Sequence, residues 1–148
     1  MIFRVLLFLF IIITACPAFA AELLIFRDHA KGIREEQVIA DLATEKHLDA
    51  SLPFEIAPID LNGDGVDEWI VRQKPSPTCA AESACRFIVS GLREKKPVLL
   101  GAFEAGKVGI SGEKQYGVRK LLVYNKKSDD FAFSVYVWNP YESGFEPE

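Results

Sequence analysis

The stretch Phe54-Glu55-Ile56-Ala57-Pro58-Ile59-Asp60-Leu61-Asn62-Gly63-Asp64-Gly65-Val66-Asp67-Glu68-Trp69-Ile70-Val71-Arg72-Gln73 decides how this chain folds. Both ends are rich in β-branched and aromatic residues, which favour extended backbone, and the polar middle must reverse the chain between them. The reading is a β-hairpin, with Phe54 to Ile59 leading in and Glu68 to Gln73 leading out. Its loop carries more than a turn needs. Oxygen-bearing side chains recur at alternate positions, Asp60, Asn62 and Asp64, and Gly65 supplies the positive φ of a sharp bend. Val66 can offer its backbone carbonyl, and Glu68 can close the set with one or both oxygens. A hard cation needs this alternation. With no thiol or imidazole in the set, the expected ion is Ca²⁺ rather than zinc or copper. A plain Asn-Gly or Asp-Gly turn would explain the glycines. It would not explain carboxylates at alternate positions, which repel one another without a cation.

Two templates bear on the loop. An EF-hand wants a bidentate Glu at its twelfth position, where this chain has Val71, and then an exiting helix. Trp69-Ile70-Val71 reads as strand instead, so the EF-hand assignment fails. The motif resembles the shorter calcium loop of FG-GAP and VCBS-type repeats, which joins two strands and is closed by an acid at the ninth position. The resemblance implies Asp60, Asn62, Asp64, the carbonyl of Val66, and Glu68 as the ligand set. It covers about a dozen residues and occurs in one copy, whereas those families repeat it in tandem. A looser likeness, to small exported bacterial proteins of uncharacterised role, rests on the order DLNGDG-x-x-E-W-I-V, two nearby cysteines, and V-Y-V-W-N. It implies a cell-envelope protein and supplies no activity.

The N-terminus reads as a secretion signal. Met1-Ile2-Phe3-Arg4 is a short basic start, Val5 to Ile13 is unbroken apolar sequence, and Ala18-Phe19-Ala20 is an A-x-A cleavage site. Residues 1–20 are therefore expected to be removed, leaving 21–148 as a single calcium-loop domain in the periplasm or secreted. The apolar run is too short to cross a bilayer. A competing cut exists, because Ile13-Thr14-Ala15-Cys16 resembles the bacterial lipobox and would leave a lipid anchor on Cys16. Losing Arg4 takes the formal charge from −4 to −5. A mildly acidic chain without a basic stripe argues against nucleic-acid binding.

Two cysteines remain after the signal, Cys79 and Cys85, an even number for an oxidising compartment. Their spacing is not the C-x-x-C of redox-active pairs. A structural disulfide closing this small loop is expected, contributing roughly 2 kcal/mol.

Around the hairpin, Arg34 to His47 is expected to be helical, with Val38, Ile39 and Leu42 on one face. Further strands are expected at Arg86 to Leu92, Val98 to Phe103, Lys107 to Ile110, Val118 to Tyr124, and Phe131 to Trp138. Gly109-Ile110-Ser111-Gly112 reads as a turn. The fold class is α+β, an antiparallel β-meander with one N-terminal helix and the calcium-loop hairpin; a small β-sandwich or barrel is the alternative.

No catalytic pattern appears. His29 and His47 sit in no zinc-binding spacing, no nucleophile elbow or phosphate-cradling loop is present, and the acid pairs Glu35-Glu36 and Asp129-Asp130 read as solvated. Tyr136, Trp138, Tyr141 and Phe145 are read as core, with the helix packed over their face; the alternative is that they are exposed together as an interaction surface. The expectation is a non-catalytic secreted or periplasmic calcium-binding module. It would be interaction- or inhibitor-like, stabilised by Ca²⁺ and one disulfide, and it would serve an unknown envelope protein or ligand. The opposing readings are a metal-dependent envelope hydrolase and a lipid-anchored envelope structural protein.

Overall fold

The computed structural model describes residues 22, 24–74, 85–124 and 133–148. The signal-peptide and Cys16 expectations lie outside these residues, as do Cys79, Phe131 and Asp129-Asp130. The elements are α1 (Ile33–Thr44), β1 (Phe54–Ile59), β2 (Glu68–Gln73), β3 (Cys85–Arg93), β4 (Lys96–Ala105), β5 (Lys107–Gln115), β6 (Val118–Tyr124), β7 (Phe133–Asn139) and β8 (Gly144–Pro147). The pairings between these strands are antiparallel, and the strands form two sheets, β1-β2-β3-β4 and β5-β6-β7-β8. A mostly antiparallel β protein with one helix was expected. The division into two sheets falls at Gly106, where the chain leaves β4 and enters β5.

The alternation of side chains along a strand sets the layers. On one face of the first sheet, Ala57, Ile59, Ile70, Phe87, Val89 and Phe103 meet Val108, Ile110, Leu121 and Val123 of the second sheet in one buried cluster. On the other face, Ile56, Trp69, Val71 and Ile88 receive Val38 and Leu42 of α1. The helix therefore covers the first sheet's outer face, and it does not lie over Tyr136 and Trp138.

α1 starts at Gly32, which has no side chain to cap it. Glu35, in the first turn, is 8% exposed and ties the helix start to the segment before it. One carboxylate oxygen accepts Lys31 N–H at 2.5 Å and the other accepts Arg27 Nη2 at 2.6 Å. The helix ends earlier than expected. His47 N–H returns to Leu42 O at 2.9 Å, across a positive φ of 61° at Lys46.

Two strand assignments are corrected. Ser111 and Gly112 lie inside β5, where the pairing slips between Ile110 and Lys114, and the turn comes later, at Tyr116-Gly117. β8, which lies beyond the last expected strand, pairs with β7. Glu22 and the residues Leu24 to Arg27 tie the two sheets along one side. Glu22 N–H bonds Ile110 O at 3.0 Å, and Arg27 exchanges both backbone bonds with Ile56 at 2.8 and 2.9 Å. Leu24 between them enters the shared core. On the opposite side β4 approaches β8 so closely that a Cβ added at Gly144 would stand 3.1 Å from Leu100 O.

Candidate metal-binding loop

The hairpin is in the expected place. β1 and β2 pair through Ile59↔Glu68, and residues 60–67 form the loop at its end. Gly63 and Gly65 have φ of 85° and 82°, which bend the backbone around its own side chains. The loop is not a free tip. Leu61 is 1% exposed and belongs to the inter-sheet core. Its carbonyl accepts Arg119 N–H at 2.9 Å, and Asn62 O accepts Lys114 Nζ at 3.2 Å. The loop is thus held by the β5–β6 hairpin of the other sheet.

Each expected ligand side chain has a defined task within the loop. Asp60 accepts Gly63 N–H at 2.6 Å and Gly65 N–H at 3.0 Å, and these amides hold its carboxyl below the usual range. Asn62 Oδ1 accepts Asp64 N–H at 2.8 Å, and Asp64 Oδ1 accepts Val66 N–H at 2.7 Å. Glu68 uses Oε2 to accept the buried Leu61 N–H at 2.8 Å. The remaining oxygens, Asp64 Oδ2 and Glu68 Oε1, both face the Asn62 amide nitrogen, at 3.1 and 3.4 Å. A partly positive N–H₂ group therefore stands between two carboxylate oxygens.

Burial pushes the Glu68 carboxyl above its ordinary range, and the neighbouring charges of Asp64 and Asp60 push it further in the same direction. None of the ion pairs among the described residues involves Asp60, Asp64 or Glu68. As the side chains stand, no three acidic, histidine or cysteine groups among the described residues are gathered closely enough to hold a metal. The chemistry of the donor set still fits a hard cation, since it is all oxygen and short of counter-charge. One Glu68 oxygen is committed to Leu61 N–H, so the other is the one that faces the loop.

The remaining expectations separate. Tyr136 packs into the core, its ring 5.0 Å from Phe103, and Trp138 and Phe145 stack edge-on at 5.6 Å, half-buried. Only Tyr141 of the four is fully displayed, at 91% exposure. A cavity of about 70 Å³ beside the loop is lined by Leu61, Asn62 and Glu68 together with Leu100, Val118, Trp138 and Phe145. Cys85 is buried and disulfide-bonded, with its partner outside the described residues. His29 pairs with Asp28 on the surface, and His47 lies near Glu45. Glu35 is buried and paired rather than solvated, because Arg27 and the helix start need it. Leu61, Lys114 and Arg119 were not anticipated. Leu61, an apolar residue directly after Asp60 in a polar run, was the one visible signal.

No helix among the described residues is long and apolar enough to cross a membrane. No protein family, curated protein or solved structure matches the chain. The likeness to FG-GAP and VCBS loops therefore rests on the loop's own residues.

Proposed function

We propose that this chain is a non-catalytic, exported calcium-binding module in which Asp60, Asn62, Asp64, the Val66 carbonyl and Glu68 hold the ion. The observation that carries the reading is the buried Glu68 carboxylate, raised in pKa beside Asp64 and Asp60 with no basic side chain paired to any of them. A divalent cation would supply the missing counter-charge, and turning the Asn62 amide would replace its nitrogen by its oxygen. The fold is read as one antiparallel meander broken at Gly106, with α1 on its first half, an α+β architecture. Export from a cut before Ala21 agrees with a disulfide at Cys85, for which Cys79 is the proposed partner. The mass of the processed N-terminus distinguishes this from a diacylated Cys16. The partner is an envelope protein, met by Tyr141 and the exposed rims of Trp138 and Phe145.

Calorimetric titration of the purified chain with calcium tests the central part. The expected Kd is on the order of 10⁻⁴–10⁻³ M, the range of extracellular sites, and Glu68→Gln weakens it at least about tenfold. An absence of calcium binding up to about 10 mM, tenfold above that range, would refute it.

A further inference from the structure

Lys114 reaches the loop from a different sheet. Its Nζ donates to Asn62 O at 3.2 Å and stands 3.0 Å from where a Cβ on Gly63 would lie. The reach depends on the irregularity of β5. Pairing with β6 runs as Ile110↔Leu121 and then resumes as Lys114↔Arg119, so the residues between are bulged out. Glu113 N–H is tied to Ser111 Oγ at 3.1 Å within that bulge. A bulge of this kind re-aims side chains. The neighbouring cation, Arg119, is already paired with Glu22, and Lys120 with Glu113 and Glu148. Lys114 has no carboxylate partner in ion-pair range among the described residues, and its charge faces the loop that carries Asp60, Asp64 and Glu68.

We propose that Lys114 is the tethered counter-ion of the acidic loop: it steadies the loop when no metal is bound and, by like-charge repulsion, sets how much calcium the loop requires. The second half rests on the calcium reading above; the first half does not. A fixed positive charge near a divalent ion disfavours binding by an amount that depends on distance and is screened by salt. The same charge relieves repulsion among three carboxylates in the metal-free loop. Lys114 is a positioning and affinity-setting residue, and it makes no contact with the ion.

A charge series at this position separates charge from packing. Calcium affinity and EDTA melting temperature are measured for wild type, Lys114→Arg, Lys114→Gln and Lys114→Glu, at low and at about 1 M salt, where the screening length is only about 3 Å. The expected order of affinity is Glu tightest, then Gln, then Lys and Arg together. Gln should be about three- to tenfold tighter than Lys at low salt, converging at high salt. In EDTA the order of melting temperature runs the other way. If the Gln and Glu variants bind calcium as wild type does, or more weakly, the affinity-setting role is wrong. If wild type binds no calcium yet the EDTA order holds and collapses with salt, the counter-ion role stands and the calcium reading fails. Equal EDTA melts across the series overturn the counter-ion role itself.

Discussion

Among the described residues, two connections in the first sheet reverse the chain between antiparallel strands, and they are built differently. β3 and β4 close with Arg93↔Lys96, using only Glu94 and Lys95, both at positive φ, 51° and 66°. This is the tight turn that matches the twist of a hairpin. β1 and β2 close with Ile59↔Glu68 and spend residues 60–67 on the same reversal. Hairpin closure alone needs none of the extra length. In the longer connection one residue, Leu61, is buried in the core, while Asp60, Asn62 and Asp64 are folded onto backbone amides. The β3–β4 turn is a connector. The β1–β2 loop is both an anchor between sheets and a concentration of negative charge.

The largest expected effect tests the anchor. Leu61→Ala removes a fully buried side chain and should lower stability by about 2–4 kcal/mol, with or without calcium. A loss under about 0.5 kcal/mol, the size of an ordinary surface substitution, would show that the loop is as superficial as the β3–β4 turn. Chemical denaturation measures it.

A smaller effect concerns where charge is compensated. At the other end of the hairpin, Glu55 receives Arg72 Nε at 2.6 Å and Lys74 Nζ at 2.8 Å. Burial raises its pKa, but the bonds and charges of Lys74 and Arg72 outweigh burial and leave it lowered. A lowered folded pKa gives stability that is present above the unfolded value, about 4.3, and lost as pH falls through the folded one. Glu55→Gln should therefore cost about 1 kcal/mol at pH 7 and progressively less below pH 4. Glu68 behaves oppositely. Its raised folded pKa means that the metal-free chain gains stability as pH falls through that value. Calcium binding needs the carboxylate ionised, so it weakens over the same window. Calcium titrations stepped from pH 7 down to the unfolded carboxyl value, about 4.3, should show the weakening, and an affinity unchanged across that whole range would contradict the role given to Glu68.

The smallest effect belongs to the connector. Lys95→Gly relieves a non-glycine residue at positive φ and should raise stability by about 0.5–1 kcal/mol. The corresponding change cannot be made in the acidic loop, where Gly63 and Gly65 already hold the positive-φ positions. A melting temperature unchanged by Lys95→Gly would remove this point of contrast.

Much of the sheet content could be read from residues, and its arrangement could not. β1, β2 and β6 announce themselves through β-branched and aromatic runs bounded by turn residues, and they fall at the expected limits. Ser111-Gly112 misled because glycine marks a bulge as readily as a turn. β8 was hidden because Gly144-Phe145-Glu146-Pro147 is short and ends in proline, which edge strands tolerate. The break between sheets at Gly106 has no local signature, since any glycine between two strands looks alike. In the loop, alternation exposed the candidate ligand set, but the Lys114 and Arg119 contacts depend on how two distant hairpins meet. Spacing within one segment carries no record of that.

The most direct test of the central claim is a thermal melt of the purified chain in EDTA and in calcium, beside Asp64→Ala. At free calcium about ten times Kd, the ion should add about 1.4 kcal/mol of stability, seen as a rise in Tm that Asp64→Ala abolishes. Identical melts in EDTA and calcium would contradict the account and reduce residues 60–67 to an anchored polar turn.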